Sequence, residues 1–229
     1  MKTGTKYLIA FAAAICLSLS ARASAIFTIS DGINPIISVA DNAPGDEASG
    51  TGVIVVQTNV GVWNLAINIA VTKPLVGSAS SPVMDINLQA FSTAGGMLSL
   101  TFSDNNFSAP LGTVNSTITG YTVVGAPGMA SYSVYGDPNN ILEATTVPIT
   151  LLPPAPLSPL AESATGTLDL ATPFSLTENA VVTSGGPTVV NLDASFNFTP
   201  TSTPEPGIPA LAALGVGGWF WLRMRNRRA

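Results

Sequence analysis

The sequence predicts an all-β fold, an antiparallel β-sandwich of jelly-roll or immunoglobulin-like type with about 8–10 strands. Many short segments alternate strictly between apolar and polar residues, which is typical of strands with one buried face. Turn-forming residues separate these segments at intervals of about 8–12 residues. The body, residues 26–199, shows no convincing helical periodicity. We expect it to be flanked by an N-terminal signal-peptide helix and a short C-terminal transmembrane helix.

Residues 1–25 have the features of a secretory signal peptide. Lys2 and Lys6 precede the apolar run Tyr7–Leu19, and Ala23 and Ala25 form a small-residue A-x-A site. The run has 13 residues. A bilayer span needs about 20, which favours a cleaved peptide over an uncleaved N-terminal anchor. We therefore expect export through the Sec machinery, with cleavage after Ala25.

Cysteine and histidine usage excludes several kinds of chemistry. The only cysteine, Cys16, lies in the predicted signal peptide, so the mature chain has no disulfide and no thiolate. The chain has no histidine, which removes Ser-His-Asp and Cys-His nucleophilic systems and His-based metal sites. Glycine-rich phosphate loops are also missing from the sequence. We expect a protein that is not an enzyme and has no cofactor.

Charge is distributed unevenly along the chain. Lys2, Lys6 and Arg22 belong to the predicted signal peptide, and four arginines lie in the last seven residues. Between Ile26 and Pro204 the only base is Lys73, against twelve acids. Nucleic-acid binding depends on Lys and Arg contacts with phosphates. Nucleic acid is therefore excluded as a partner of the body, and a polyanionic partner is disfavoured for the same reason.

Two segments show the strand alternation most clearly. In residues 63–72, we predict that the inward-facing side chains are Trp63, Leu65, Ile67, Ile69 and Val71. Asn64, Ala66, Asn68, Ala70 and Thr72 would then face solvent. In residues 190–198, the predicted inward-facing side chains are Leu192, Ala194, Phe196 and Phe198. A body of this length can bury a core without a metal or a disulfide.

A proline-rich segment, Pro153–Pro159, interrupts this pattern. It is either a linker between two small sandwiches or, as we favour, a long crossover or a loop at the sandwich edge. The roughly 40 residues that follow it would make a marginal domain of their own. Residues 200–203 are expected to form an extended spacer before the C-terminal segment.

Carboxylate chemistry remains open on composition alone. Asp46 and Glu47 are adjacent in a turn-rich loop, whereas a glycosidase needs two acids across the scissile bond. Structural calcium is a further alternative. Its oxygen ligands would come from Asp41, Asn42, Asp46 and Glu47 in one loop, or from Asp104–Asn106 in another. Neither segment has the EF-hand spacing, and such Asp-Asn clusters are common in turns.

Aromatic residues suggest how the body could bind a carbohydrate. Tyr121, Tyr132 and Tyr135 lie on neighbouring predicted strands. Tyr132 and Val134 share one face, which leaves Tyr135 on the other and exposed. Trp63 is expected in the core because of its place in the alternation.

The C-terminal segment has the pattern of a short membrane span. Ile208–Leu222 is apolar on all sides, and as a helix it would be about 22 Å long against a bilayer core of about 30 Å. Trp219 and Trp221 suit the membrane interface, and the arginines after them suit the cytoplasmic side. The alternative is an amphipathic helix that docks on the body, which the all-round apolarity disfavours.

A short motif precedes this span and a basic cluster follows it. The motif is Pro204, Glu205 and Pro206, and the cluster is Arg223, Arg225, Arg227 and Arg228. Residues 204–229 thus resemble the PEP-CTERM sorting signal of Gram-negative bacteria. The resemblance implies that an inner-membrane exosortase recognises and processes the tail, and that the protein reaches the cell surface or exopolysaccharide matrix. Such a tail also carries the name ice-binding protein C-terminal domain, but ice binding needs flat Thr-x-Thr ladders, and triplets such as Thr117-Ile118-Thr119 are isolated in this sequence.

These observations lead to two expectations about function. The first is a non-enzymatic exported protein of the surface or exopolysaccharide matrix, held transiently at the inner membrane and sorted by an exosortase. The alternative is a surface carbohydrate-binding module with tyrosine and asparagine side chains on one sheet face. In either case exopolysaccharide is a candidate partner.

Overall fold

The computed structural model describes residues 25–201, and in this range the chain forms thirteen strands and no helix. They are β1 (Ile26–Ser30), β2 (Ile37–Ala40), β3 (Val53–Val55), β4 (Thr58–Val60), β5 (Trp63–Val71), β6 (Val83–Ser92), β7 (Gly96–Phe107), β8 (Gly112–Gly125), β9 (Gly128–Asp137), β10 (Val147–Pro156), β11 (Leu160–Leu168), β12 (Phe174–Ser184) and β13 (Thr188–Pro200). The predicted signal peptide up to residue 24 and the sorting signal at 204–229 lie outside the described residues. Within the described range, no helix is long and apolar enough to cross a membrane.

The strands form two antiparallel sheets that pack face to face. One has six strands in the order β10-β9-β12-β7-β1-β2. The other has seven, in the order β11-β8-β13-β6-β5-β3, with β4 paired to β5. The predicted all-β antiparallel sandwich is confirmed. Its thirteen strands exceed the predicted 8–10 because the first half of the chain contributes short strands such as β3 and β4.

The connections make the described residues one sandwich. From β6 to β13 the chain passes to the opposite sheet at six of the seven connections. Strands before and after the proline-rich segment therefore share both sheets, as in the pairing of β12 with β7 and of β13 with β6. No separate second sandwich is formed in residues 25–201.

The core lies between the two sheets and is built from alternate residues of each strand. Phe27 and Phe102 meet edge to face, with ring centroids 6.2 Å apart. Trp63 is buried, as predicted, and β13 alternates as predicted from Leu192 to Phe198. Each large side chain buried in this way contributes roughly 1.5–3 kcal/mol.

The alternation predicted for β5 is correct only in its first half. The register with β6 shifts between Leu65 and Ile67, which marks a β-bulge. Beyond the bulge, Asn68, Ala70 and Thr72 are the buried residues, while Ile69 and Val71 are only half-buried. The predicted faces of these five residues were wrong, because one extra residue exchanges the two faces of a strand. The buried Asn68 side chain donates a hydrogen bond from Nδ2 to the Val56 carbonyl oxygen at 3.1 Å.

The proline-rich segment lies at an edge of the sandwich. Most of it belongs to β10, the edge strand of the six-stranded sheet, which contains Pro148, Pro153, Pro154 and Pro156. The pairing with β9 is irregular between Leu152 and Ala155. Proline lacks the N–H that a central strand must donate, so an edge position suits it. Residues 157–159 then carry the chain across to β11 in the other sheet.

The last strand extends further than the sequence predicted. β13 continues to Pro200, which pairs with Gly112, and Thr201 donates its backbone N–H to the Leu111 carbonyl oxygen. The spacer predicted at 200–203 therefore begins later, because Pro200 pairs with β8 and Thr201 is hydrogen-bonded to the β7–β8 connection. Residues 202 and 203 lie outside the described range.

Candidate functional site

The outer face of the seven-stranded sheet carries rows of polar side chains. Strand pairing fixes these rows, because directly paired residues on neighbouring strands share a face. One row runs from Gln89 on β6 through Asn191 on β13 to Tyr121 on β8. The next row, two residues along, runs from Asn87 through Asp193 to Thr119.

A depression of about 430 Å³ lies over these two rows. Its floor is formed by β6, β13 and β8, and its far wall by Pro159 and Leu160 at the start of β11. The residues that line it are Asn87, Leu88, Gln89, Thr119, Gly120, Tyr121, Pro159, Leu160, Asn191, Leu192 and Asp193. We call this depression the Tyr121 groove. It is an open depression with several polar groups in its lining.

Several polar groups in the Tyr121 groove are available to a ligand. Among residues 25–201, the side chains of Gln89, Thr119 and Asn191 make no hydrogen bond to the protein. Asn87 donates from its Nδ2 to Oδ2 of Asp193 at 2.8 Å, which orients that carboxyl. Amides and hydroxyls both donate and accept hydrogen bonds, so the groove can pair with a ligand rich in hydroxyl groups.

Two aromatic side chains stand on the same face. Tyr121 is 50% exposed at the edge of the groove. Phe91 on β6 is 43% exposed and lies in the row beyond Gln89, where it pairs with Val189. Phe91 was not among the binding residues predicted from the sequence. The alternation of β6 could have identified it, because Met84, Ile86, Leu88 and Ala90 are buried and Phe91 has the opposite parity.

Two carboxyl groups lie near each other on this face. Partial burial raises the pKa of Asp193, and the hydrogen bond from Asn87 opposes that rise. Burial raises the pKa of Asp85 to about 6, and the charge of Asp193 adds to the effect. Oδ1 of Asp85 is buried without a hydrogen-bond partner in the described residues. Only Asp193 lines the groove, because Asp85 sits one row further along β6, opposite Ser195.

The outer face of the six-stranded sheet differs because a loop of the same chain covers part of it. The connection between β9 and β10, residues 138–146, folds over the strand ends there. Ser103 Oγ accepts the Glu143 backbone N–H at 2.9 Å and donates to the Leu176 carbonyl oxygen at 2.9 Å. Ser175 Oγ donates to the Ile141 carbonyl oxygen, and Thr28 donates to Glu143. The hydroxyl groups beneath this loop are therefore used by the fold itself.

The three tyrosines proposed as a sugar-binding face do not lie together. Tyr121 is on the seven-stranded sheet, whereas Tyr135 is half-buried on the outer face of the six-stranded sheet. Tyr132 is buried in the core, with Val134 on the same side, as the alternation predicted. The tyrosine face thus reduces to Tyr121, accompanied by asparagine and glutamine side chains.

The core contains an acid that the sequence analysis missed. Glu178 is fully buried and accepts a hydrogen bond from the Tyr132 hydroxyl at Oε1, while Oε2 has no partner in the described residues. Burial raises the pKa of Glu178 well above its usual value, and the hydrogen bond from Tyr132 only partly opposes this. A signal was present in the sequence. Glu178 has the same parity on β12 as Leu176, Ala180 and Val182, which all face inward.

The only base in the described residues is part of a buried ion pair. Lys73 Nζ lies 2.6 Å from Oδ2 of Asp104 and 4.0 Å from the centre of the Phe107 ring. It also donates to the Asn105 carbonyl oxygen at 2.5 Å, and Thr72 donates to Asp104 at 2.9 Å. Burial lowers the pKa of Lys73, and the charge of Asp104 acts against this. The contacts indicate a structural clamp between the β5–β6 connection and β7.

The loops considered for calcium use their carboxyl groups to hold the backbone. Asp46 accepts backbone N–H groups from Asn42, Ala48 and Val55, and Asp41 accepts that of Gly52. Asp104 is engaged with Lys73 as described above. Within residues 25–201, no group of three or more acids is arranged to hold a metal ion. These residues are explained by loop geometry.

The predicted sorting residues Pro204, Glu205, Pro206, Arg223, Arg225, Arg227 and Arg228 lie outside the described residues, as does Ala23. Ala25 is the exception. It is buried in the core, and its carbonyl oxygen accepts the backbone N–H of Asp41 at 2.9 Å.

No family model matches this chain, and no curated protein matches it. Among solved structures, a carbohydrate-binding module described for specific mannan recognition is similar, at 12% identity and a TM-score of 0.32 over 65% of this chain and 99% of that one. A xylan-binding domain from Paenibacillus barcinonensis is similar at 12% identity and a TM-score of 0.34, over 69% of this chain and 92% of that one. A structure described for the promiscuous specificity of carbohydrate-binding modules from the β-sandwich superfamily is similar at 12% identity and a TM-score of 0.33. The match covers 75% of this chain and 71% of that one.

Proposed function

We propose that this chain is a non-catalytic exported protein of the bacterial surface or exopolysaccharide matrix, and that its sandwich binds polysaccharide in the Tyr121 groove. The observation that carries the binding proposal is the half-exposed Tyr121 ring beside amide and hydroxyl groups that have no partner in the fold. An aromatic ring offers an apolar surface for the C–H face of a sugar, and its hydroxyl offers a polar handle. Gln89, Asn191 and Thr119 then pair with sugar hydroxyls.

The charge and chemistry of the groove support binding rather than hydrolysis. A glycosidase places two acids on opposite sides of the scissile bond. Here a single acid, Asp193, lines the groove, and Asn87 holds it by a hydrogen bond. Asp85 is its diagonal neighbour on the adjacent strand, with one oxygen buried away from the groove. Among the described residues, the lining of the groove therefore offers no second acid to a sugar bound against Tyr121.

Export and sorting form the second part of the proposal. Their support is the signal-peptide pattern in residues 1–25 and the resemblance of residues 204–229 to a PEP-CTERM signal. In this proposal the partners are the Sec machinery, an exosortase and the exopolysaccharide itself, with transient inner-membrane anchoring. A polysaccharide-binding body at the end of such a route would link the protein to the matrix.

Affinity electrophoresis tests the binding proposal. The full chain is exported from a bacterial host and run in native gels that contain the host's polysaccharide, glucomannan or xylan. We expect retardation in at least one gel, loss of retardation in Tyr121→Ala, and retention of most of it in Tyr121→Phe. Tyr135→Ala is the matched control, because it removes a tyrosine from the other sheet. Equal migration of wild type and Tyr121→Ala in every gel would overturn the proposed site.

Intact-mass measurement tests the sorting proposal. The native protein is isolated from its own host, separately from membrane and extracellular fractions. A released species that ends near Pro204–Pro206 is the expected result. A species that keeps Arg228 and occurs only in the inner membrane would contradict matrix sorting and indicate a plain anchor.

A further inference from the structure

We propose that the ligand is an extended, neutral polysaccharide segment that bridges two aromatic platforms, Tyr121 and Phe91. This inference rests on the proposed function of the Tyr121 groove and extends it by a second contact point and a ligand class. It comes from the position of Phe91, an exposed aromatic residue that the core does not use.

Sheet register fixes the spacing of the two platforms. Phe91 pairs with Val189 and Tyr121 with Asn191, so β13 lies between the strands that carry them. Two strand spacings separate them by about 10 Å across the sheet, and the two-residue offset adds about 7 Å along it. Their Cα atoms are therefore about 12 Å apart. One sugar ring cannot cover both platforms, so a ligand that contacts both is an oligosaccharide chain.

The residues between the platforms favour such a chain. The diagonal from Phe91 to Tyr121 passes over Val189 and Asn191, beside Gln89. Val189 has a short apolar side chain, which leaves room for a sugar ring above it. The unpartnered amides of Gln89 and Asn191 face the same line and can pair with the hydroxyls of the sugars between the two platforms.

The acidic side chains on this face favour a polysaccharide without charge. Asp193 lines the groove and Asp85 lies in the adjacent row, so the face is acidic. Lys73 is the only Lys or Arg between residues 25 and 201, and it is committed to Asp104 in a buried ion pair. A uronic-acid polymer would meet like charges there without a cation to offset them.

Calorimetric titration with oligosaccharide ladders tests the bridge. The exported full chain is titrated with cello-, manno- and xylo-oligosaccharides from the monosaccharide to the hexasaccharide, and with alginate oligosaccharides as the acidic probe. For the best neutral series we expect the association constant to rise at least tenfold with length. Phe91→Ala should abolish that rise and keep the weak binding of short ligands, whereas Tyr121→Ala should lose binding at every length.

The outcomes separate this inference from the proposed function. A Phe91→Ala variant with the wild-type length dependence overturns the bridge while Tyr121 binding stands. Unchanged binding by Tyr121→Ala, or no binding to any neutral series, overturns both. Tighter binding to alginate than to every neutral series overturns the neutral class. If Phe91→Ala converts a dimer to a monomer in sedimentation without changing glycan affinity, Phe91 is a self-association residue and the bridge is wrong.

A second inference rests on the proposed export and concerns the start of the exported chain. We infer that the signal peptidase cuts after Ala23, using Ala21 and Ala23 as its small-residue pair, and not after Ala25. Ala25 is fully buried and its carbonyl oxygen accepts the Asp41 N–H at 2.9 Å. A cut after Ala25 would remove this residue and place a new ammonium group at the core boundary, where burying charge is costly.

The chemistry of this step is ordinary hydrolysis. One water adds across the Ala23–Ser24 peptide bond, which leaves a carboxylate on Ala23 and an ammonium group on Ser24. N-terminal sequencing of the exported protein should give Ser24 as the first residue. Ala21→Gln should slow processing, because it changes the small-residue pair of this site alone. A first residue of Ile26, or wild-type processing of Ala21→Gln, would refute the inference.

Discussion

The two outer faces of the sandwich use similar polar residues in opposite ways. On the six-stranded sheet, Ser103 and Ser175 lie beneath the β9–β10 connection and hydrogen-bond to it or to neighbouring strands. On the seven-stranded sheet, Gln89 and Asn191 face the Tyr121 groove without partners in residues 25–201. A polar side chain that the fold already satisfies contributes to stability, and one that it leaves unsatisfied is available for a ligand.

Among the changes that would test this difference between the faces, we expect loss of the Lys73–Asp104 ion pair, beside the covered face, to lower the free energy of unfolding most. Asn106 and Asn140 exchange hydrogen bonds of 2.8 and 2.9 Å that attach the covering loop to β7, beside the Lys73–Asp104 pair. Lys73→Met leaves Asp104 buried without its cation, so we expect a loss of about 3–5 kcal/mol in the free energy of unfolding. Urea denaturation measures this.

A double variant is the control for that experiment. Lys73→Met combined with Asp104→Leu removes both charges and should recover much of the loss, because no buried charge remains unpaired. A single variant whose stability lies within about 1 kcal/mol of wild type would contradict the clamp.

Two acids with raised pKa values, Glu178 and Asp85, should make the free energy of unfolding fall as pH rises. The folded pKa of Glu178 is raised above its usual 4.5, so the unfolded state loses this proton first. The free energy of unfolding therefore keeps the whole contribution of Glu178 below the unfolded pKa of 4.5. Above that pH it falls by up to about 1.4 kcal/mol per pH unit, until the raised folded pKa is reached. Asp85, with a pKa raised from 3.8 to about 6, acts in the same direction over that window.

Glu178→Gln isolates the contribution of the core acid. We expect a flatter pH dependence and higher stability at neutral pH, because glutamine cannot ionise and still accepts from Tyr132. Urea midpoints from pH 4.5 to 8 provide the measurement, and Glu162→Gln on the exposed β11 is the control. The same slope in Glu178→Gln and wild type would show that Glu178 does not control it.

A matched pair of hydroxyl deletions addresses the two faces directly. Ser103→Ala removes the part-buried hydrogen bond that the Glu143 N–H of the covering loop donates, and should cost about 1 kcal/mol in stability. Thr119→Ala on the open face should stay within about 0.5 kcal/mol of wild type. Equal losses in both variants, measured by urea denaturation, would remove the distinction between the faces.

The smallest expected effect on stability belongs to the groove amides. Asn191→Ala should leave the free energy of unfolding within about 0.5 kcal/mol of wild type. Its affinity for the best neutral oligosaccharide should fall about 2–10-fold, the equivalent of one hydrogen bond. A change in stability without a change in affinity would make Asn191 a structural residue.

The fold class was predictable because burial on one face imposes a period of two on each strand. That rule predicted the burial of Trp63 and the inward face of β13. It failed beyond the bulge in β5, since the bulge is set by how β5 pairs with β6 and leaves the alternation of the β5 sequence itself unmarked.

The site was predictable in kind but only partly in composition. The sequence indicated tyrosine and asparagine side chains on a sheet face, and Tyr121 with Asn87 and Asn191 corresponds to that expectation. Tyr135 was assigned to the same face because the sequence does not show which sheet a strand joins. The assignment depends on the connections, and β8 and β9 join different sheets although they are consecutive.

The prolines of β10 have a consequence for a protein at high local concentration. An edge strand presents unpaired backbone groups that can pair with another chain and begin aggregation. In β10, Pro148, Pro153, Pro154 and Pro156 have no backbone N–H to offer such a neighbour. The strand completes its own sheet, and at these four positions it cannot donate a hydrogen bond to a strand of a second chain.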